Sequence, residues 1–289
     1  MRRSSIITII LLILVIISLI VALVITNLPK TEENNDTTIE NNENLEENQE
    51  EQEEPETPTS VALDSEIVEE MYMLVNGATG DIFHWLKKGE LTVDDLSNEY
   101  IQTIAFFYDA AKNIEEIEPD DQMRTGKLEV KYMDEAIKKV FGDVEYEPTY
   151  VLYQAGGGKI LKYDSSEDIY YVYGGFGGGT NQFIHTGITN VEEYSDKYIV
   201  TEKMLIDSYE YGYHNISSYY GQGYRFTSSL GHISDSEVDS IIITQDMYSY
   251  NDKNKKILSK YYDDATEYRH TFVKNEDGSF YWQKTEIVK

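Results

Sequence analysis

The chain has 289 residues and a formal net charge of -29, because 24 lysines and arginines face 53 aspartates and glutamates. Binding of nucleic acid through phosphate contacts needs a concentrated positive surface, so this charge excludes nucleic acid as a partner. The sequence has no cysteine, which excludes a disulfide scaffold, a thiolate metal site, an iron–sulfur cluster and a cysteine nucleophile.

The N-terminal segment predicts a membrane anchor. Arg2 and Arg3 precede an uncharged apolar run at 6–26. A helix over this run spans about 32 Å at about 1.5 Å per residue, which matches the roughly 30 Å hydrocarbon core of a bilayer. No small-residue cleavage site follows, so we expect an uncleaved anchor. Because positive charge stays on the cytoplasmic side, we expect a single-pass protein of the cell membrane with a cytoplasmic stub at 1–5 and an extracytoplasmic C-terminal part.

The segment after the anchor is strongly acidic. Residues 31–60 contain 12 acidic side chains, no basic ones and no aromatic ones. Such a segment cannot bury enough apolar surface to offset the entropy lost on ordering. We therefore predict a disordered acidic linker at 27–62, which keeps the folded part away from the membrane.

The remaining segment, 61–289, has 41 acidic and 21 basic residues and all 25 tyrosines of the chain. Its hydrophobic period changes near Gly142, from helical spacing to short runs rich in Tyr, Ile, Val and Thr. We predict a small helical subdomain at 63–145 followed by a Tyr- and Gly-rich, mostly antiparallel β subdomain at 146–289. The predicted fold class is therefore α+β, preceded by the transmembrane helix and the disordered acidic linker.

The predicted elements follow in chain order. The predicted helices are one capped by Asp64, a short one at 80–88, one from Thr92 to Ile114 that starts with a capping box to Asp95, and one at 130–141 that Gly142 ends. The predicted strands are 149–155, 159–163, 169–173, 181–186, 197–207, 223–229, 240–246, 256–262, 267–274 and 279–288, the last two joined by a turn at 275–278.

Three stretches carry a resemblance to known sequences: DEAIKKVFGDVEYEP at 134–148, KYDSSEDIYYVYGGFGGG at 162–179 and VEEYSDKYIVTEKM at 191–204. Together they resemble a domain type that recurs in membrane-anchored surface proteins of low-GC Gram-positive bacteria. The resemblance covers residues 64–289 and implies an uncharacterised extracytoplasmic domain with no known activity. One departure is that related-looking sequences often have cysteines beside the glycine cluster, whereas here only glycines stand there.

The histidines and glycines give no recognisable catalytic or metal motif. The five histidines show no pair at i, i+4 and no HExxH pattern, which excludes zincin chemistry. We expect His84 to be a packing residue in an apolar helix, and we expect no metal and no cofactor. A site of three histidines from separate strands stays open as an alternative. The glycine cluster at 174–179 lacks a following Gly-Lys-Ser/Thr, so it predicts a strand connection and no nucleotide site.

Tyrosine is the one compositional excess that suggests a site. Tyrosine rings give a large amphipathic contact area at low entropic cost, as in binding loops. The alternative is that they fill half-buried strand positions. The candidate ligand-binding residues are Tyr171, Tyr173, Phe176, Tyr211, Tyr213, Tyr219, Tyr220 and Tyr224.

We therefore predict a non-enzymatic binding or structural role at the cell envelope, with no catalytic residue identified. Apart from the membrane at 6–26, the expected partner is a neutral glycan or a cationic envelope protein, since anionic polymers would be repelled. The alternative is an extracytoplasmic hydrolase of glycans or peptides whose site is assembled only in the fold.

Overall fold

A computed structural model describes residues 56–77, 80–84, 86, 89–119, 123–153, 158–173, 182–219 and 226–288. These residues belong to one compact unit, Glu54–Lys289. None of the described helices is long and apolar enough to span a bilayer. The predicted anchor at 6–26 lies outside the described residues.

The described residues form an α+β fold in which every strand pair is antiparallel, so the predicted class is confirmed at that level. The α-helices are α1 (Glu66–Asn76), α2 (Asn98–Tyr108), α3 (Val130–Phe141), α4 (Asp235–Ser240) and α5 (Asp252–Lys260). Short 3₁₀ helices cover Gly80–His84, Val93–Asp95 and Ala110–Asn113.

The strands make two sheets. The larger sheet contains β1 (Thr59–Ser60), β2 (Glu90–Thr92), β8 (Gln182–Glu193), β9 (Lys197–Glu210), β10 (Tyr213–Tyr219), β11 (Phe226–Ser234), β12 (Thr266–Lys274) and β13 (Phe280–Ile287). Its order is β1-β8-β9-β12-β13-β2, and β10 pairs with both β9 and β11. The smaller sheet contains β3 (Glu115–Glu116), β4 (Arg124–Glu129), β5 (Val151–Tyr153), β6 (Gly158–Asp164) and β7 (Ile169–Tyr173), in the order β3-β4-β7-β6-β5.

Strand β9 is the centre of the larger sheet, and both of its faces are buried over residues 202–207. One edge pairs with β8, while the other pairs first with β12 and then with β10. Val200 and Met204 point into the main core, to which α1, α2 and α3 contribute. Leu205 points the other way, into a second core with Ile257 and Leu258 of α5. A polar residue on either face of this central part of β9 is therefore enclosed.

Several predicted elements are confirmed. Helix α3 ends at Gly142, whose φ of 75° suits a residue without a Cβ. The capping box between Thr92 and Asp95 forms, but it caps the 3₁₀ helix Val93–Asp95. Helix α2 begins later, after Ser97, whose hydroxyl accepts a hydrogen bond from the backbone N–H of Tyr100 at 3.3 Å.

Two predicted strands are wrong, and five observed strands, β1 to β4 and β10, were not predicted. The stretch predicted as a strand at 256–262 lies largely in α5, because Asn251 caps a helix that buries Ile257 and Leu258 on adjacent positions. Adjacent apolar residues suit a buried strand and a helix equally. The stretch at 240–246 contains no strand. Strand β10 escaped prediction because its sequence is mostly polar.

The helices and the strands do not come from separate segments of the chain. Strands β2 and β4 lie within 63–145, yet β2 joins the larger sheet and β4 the smaller one. Strand β1, from the end of the predicted linker, pairs with β8. The Glu56 carboxylate also accepts a hydrogen bond from the backbone N–H of Ser195 at 2.6 Å. Ordered structure therefore begins before residue 63.

Candidate functional site

Strand β9 places one buried carboxylate on each face of the larger sheet. Glu202 and Asp207 are five positions apart, so their side chains point to opposite faces, and both are fully buried. Each carboxylate binds two histidines from other elements, and four of the five histidines in the chain are used in this way. Buried carboxylates of this kind need such partners to offset their lost hydration.

The Glu202 cluster lies on the main-core side. Glu202 Oε2 is 2.9 Å from His84 Nε2 and 2.9 Å from His270 Nε2. The side-chain amide of Asn76 donates a hydrogen bond to Oε1. His84 ends a 3₁₀ helix and is buried, as expected, whereas His270 lies on β12 diagonally across from Glu202. All three members of the cluster are therefore brought together only by the tertiary fold.

A chain of hydrogen bonds fixes the ring of His270. Trp282 Nε1 donates to Thr285 Oγ1 at 2.9 Å, and this hydroxyl lies 2.7 Å from His270 Nδ1. Because Nε2 faces the Glu202 carboxylate, which can only accept, the Thr285 hydroxyl donates its proton to Nδ1 while it accepts from Trp282. The ring proton then sits on Nε2, where it is donated to Glu202. His270 is thus a neutral ring in a defined tautomer.

The electrostatics of the cluster agree with this proton arrangement. Burial lowers the pKa of His270, an effect that outweighs the hydrogen bond to Glu202, which raises it. Burial raises the pKa of Glu202, but the hydrogen bonds from His270 and His84 outweigh burial and hold that pKa at about 2. Near neutral pH the cluster therefore holds an ionised Glu202 beside a neutral His270.

The Asp207 cluster lies on the opposite face. Asp207 Oδ2 is 2.9 Å from His185 Nε2 and 2.5 Å from His214 Nδ1. His185 Nδ1 in turn lies 2.8 Å from Asn254 Oδ1 on α5. His214 Nε2 lies 3.0 Å from Asp235 Oδ1, so each nitrogen of this ring faces a carboxylate. Through His214, the hydrogen bonds of this cluster connect the buried Asp207 to Asp235.

Asp235 anchors the turn between β9 and β10. Its half-exposed carboxylate accepts hydrogen bonds from His214 and from the Tyr209 hydroxyl, the latter at 2.9 Å. The hydrogen bond from His214 lowers the pKa of Asp235 most, and the one from Tyr209 lowers it further. Its backbone N–H donates to the carbonyl of Gly212 at 3.1 Å. The turn is thus tied, through His214, to the buried Asp207.

The turn itself contains an unusual residue. Tyr211 and Gly212 have φ values of 51° and 84°, the pattern of a type I′ hairpin turn. Asn, Asp and Gly are preferred at the first of these positions, and a left-handed conformation costs other residues about 1–2 kcal/mol. The Tyr211 side chain is nevertheless 90% exposed. Neither backbone preference nor burial accounts for a tyrosine here.

Other rings lie at this end of the sheet. Phe183 and Tyr213 are 48% and 45% exposed. Phe183 pairs with Asp207 and lies on the same face as Tyr209, with ring centres 6.5 Å apart. Tyr213 pairs with Glu210, lies on the other face and stacks on His232 with centres 4.6 Å apart. We call Phe183, Tyr209, Tyr211 and Tyr213, which flank the turn on both faces of the sheet, the aromatic tip.

The structure brings together only part of the predicted tyrosine site. Tyr211 and Tyr213 lie in the aromatic tip. Tyr171 does not, because it lies in the smaller sheet, is 6% exposed, and packs its ring 4.2 Å from the guanidinium of Arg124. Tyr173 is the half-buried last residue of β7, and Tyr219 is the last residue of β10. The remaining predicted site residues, Phe176, Tyr220 and Tyr224, lie outside the described residues.

Sequence reasoning missed Phe183, Asp235 and both histidine–carboxylate clusters. One usable signal was present in β9, where Glu202 and Asp207 stand at buried positions among mainly apolar residues. An acid at such a position needs a buried partner. The partners themselves carry no short spacing that a motif could detect.

Comparison of this chain with family models, with curated proteins and with solved structures finds no match in any of the three.

Proposed function

We propose that this protein is a non-enzymatic binding module of the cell envelope that holds a neutral glycan on its aromatic tip. In this proposal the apolar run at 6–26 anchors the chain in the membrane, the acidic linker at 27–62 extends outward, and the helices and sheets form the extracytoplasmic part. The observation that carries the proposal is the exposed Tyr211 in a left-handed backbone conformation.

A strained, exposed aromatic residue is better explained by binding than by folding. Residues in sparsely populated backbone conformations cluster at functional sites, where the surrounding structure holds them. At Tyr211 a smaller polar residue would satisfy the turn at lower cost. A tyrosine ring instead offers a flat surface with two rotatable side-chain bonds, which loses little entropy on binding.

The tip is also held rigid before any ligand arrives. The Tyr209 hydroxyl and the Gly212 carbonyl both bond to Asp235, which His214 connects to Asp207. A surface that is already ordered loses less conformational freedom when it binds. This preorganisation favours binding of a ligand at the tip.

The charges around the tip favour a neutral ligand over a cationic protein. Although the segment 61–289 is strongly acidic, Asp235 is already paired with His214, and Lys253 Nζ lies 5.5 Å from the Tyr209 ring centre. The charge next to the Tyr209 ring is therefore mixed and not purely acidic. Aromatic rings of this kind can stack on the apolar face of a sugar.

The test measures binding of a neutral N-acetylglucosamine tetramer and a neutral cellotetraose to the full chain, at about 0.05 M and about 0.5 M NaCl, where screening differs strongly. We expect salt-insensitive binding that Tyr211→Asn weakens about 10-fold, the loss that corresponds to about 1.4 kcal/mol of stacking. Tyr150→Asn changes an exposed tyrosine outside the tip and should bind like the unmodified chain.

Two results would contradict the proposal. One is the absence of glycan binding, or binding that Tyr211→Asn leaves unchanged. The other is binding of a lysine decapeptide at the tip that weakens steeply with salt, which would indicate a cationic protein as the partner instead.

A further inference from the structure

We propose that His84, Glu202 and His270 form a binding site for a divalent transition-metal ion of the Zn²⁺ class. This inference is independent of the aromatic tip, since it rests on the cluster on the other face of β9. It also differs from the expectation drawn from the sequence, in which the histidine spacing indicated no metal site.

The geometry is close to that of a zinc site. One ligand atom from each of the three residues lies within 4.8 Å of the others. Four-coordinate zinc with bonds of about 2.0–2.1 Å places its ligand atoms about 3.3 Å apart. The two distances from imidazole nitrogen to Glu202 Oε2 are 2.9 Å each. An ion therefore requires each imidazole nitrogen to move about 0.4 Å away from Oε2, while the two imidazole nitrogens, which lie within 4.8 Å of each other, take up the same separation of about 3.3 Å.

The donor set selects the class of ion. Two imidazole nitrogens and one carboxylate suit Zn²⁺, Fe²⁺ and similar ions, whereas Mg²⁺ and Ca²⁺ prefer oxygen ligands alone. The chain has no cysteine, so thiolate ligation is excluded. With three protein ligands, the fourth position of a tetrahedral ion would be left for water or another small ligand.

The surroundings of His270 have the form expected around a metal-binding histidine. Such a ring usually forms a hydrogen bond through its second nitrogen, which fixes its orientation. His270 Nδ1 bonds to Thr285, which Trp282 holds in place, and Glu202 Oε1 accepts from Asn76. When Nε2 binds a metal, the ring proton moves to Nδ1, which then donates to Thr285 Oγ1, so the ring stays neutral and no proton is gained or lost by it.

The buried charge supplies a reason for an ion to bind. Glu202 is fully buried, and its oxygen atoms lie at hydrogen-bond distance from side-chain nitrogen atoms of Asn76, His84 and His270. A buried carboxylate is costly unless it is paired or coordinates a metal. A divalent ion compensates this charge directly.

The Asp207 cluster provides a matched control. Asp207 also has two histidine partners at hydrogen-bond distance, and it is equally buried. However, the second nitrogen of His214 faces the carboxylate of Asp235, and that of His185 faces Asn254. Variants here disturb a buried histidine–carboxylate pair of the same kind without touching the proposed ligands.

The experiment uses the full chain after removal of metal with a chelator. Co²⁺ serves as the spectroscopic probe, Zn²⁺ as the competitor, and the metal content is measured by mass spectrometry. We expect one tightly bound ion per chain, tetrahedral Co²⁺ bands that Zn²⁺ abolishes, and a higher Tm with metal. His270→Gln should abolish the bands, whereas His185→Gln should retain them.

A second variant tests the proposal even if His270→Gln does not fold. Thr285→Val keeps all three ligands and removes only the hydroxyl beside His270, so the affinity should fall about 10–100-fold with the bands retained. Failure of the stripped, unmodified chain to take up Co²⁺ would overturn the proposal. Uptake with purely octahedral bands, or uptake that His270→Gln leaves unchanged, would assign the ion to surface carboxylates and would also overturn it.

Discussion

The buried carboxylate of Glu202 should make the stability of the metal-free protein depend on pH in a defined window. Its pKa lies near 2 rather than at the usual 4.5. A difference of about 2.5 pH units corresponds to about 3 kcal/mol of folding free energy at neutral pH. Because Glu202 is fully buried, solvent does not screen this contribution as it would at the surface.

The direction in which stability changes with pH follows from which state, folded or unfolded, binds protons more readily. The unfolded chain takes up a proton at Glu202 below pH 4.5, whereas the folded chain resists it until about pH 2. The contribution is therefore complete above pH 4.5 and is lost as the pH falls through that window, with about 2 kcal/mol lost by pH 3. His270, whose pKa is also lowered, adds a loss that begins below pH 6.5, because only the unfolded chain then gains the proton.

The assay is urea unfolding at pH 7 and about pH 3, with chelator present, for the unmodified chain and for Glu202→Gln. The variant lacks the titrating carboxylate, so the stability difference between the two proteins should shrink by about 2 kcal/mol on acidification. Glu276→Gln, an exposed turn substitution, should follow the unmodified chain at both pH values. An equal or larger difference at about pH 3 would refute the assignment of an ionised, imidazole-bound Glu202.

Three further substitutions test the turn and the helix end. Tyr211→Asn should raise the free energy of unfolding by about 1 kcal/mol, because Asn suits the left-handed position better; a loss of stability in urea would contradict the strain argument. Gly142→Ala should cost about 1 kcal/mol or more, since φ is 75° and an added Cβ would lie 3.0 Å from the Tyr281 ring, so an unchanged Tm would be unexpected. Asp235→Ala should speed amide hydrogen exchange in the β9–β10 turn by removing the bonds to His214 and Tyr209, whereas equal exchange would show that the turn needs no anchor.

Short sequence patterns predicted those elements that end at one identifiable residue, such as a glycine. Helix α3 was predictable because an amphipathic run meets Gly142, and the turn at 275–278 because Gly278 can adopt its φ of 86°. Helix α5 was not predictable, since Ile257 and Leu258 fit a strand as well as a helix. The second core against which they pack decides between the two, and that core is built from distant strands.

The candidate site was predictable only for those residues that the excess of tyrosine made conspicuous. Tyr211 and Tyr213 stood out as tyrosines in a turn-rich stretch, but their neighbour Phe183 comes from another strand. The members of the Glu202 cluster are separated by 118 and 68 positions, so no spacing rule could join them. Pairing of β9 with β12 brings Glu202 and His270 together, and packing of the 3₁₀ helix Gly80–His84 adds His84.

The most direct test of the binding proposal is a map of the ligand contacts on the protein. Ring-labelled tyrosine and phenylalanine in the full chain can be titrated with the N-acetylglucosamine tetramer and followed by NMR. The proposal predicts shifts for the rings of Phe183, Tyr209, Tyr211 and Tyr213, and none for the buried Tyr171. Shifts that centre on Tyr171 and the smaller sheet, with the aromatic tip unchanged, would contradict it.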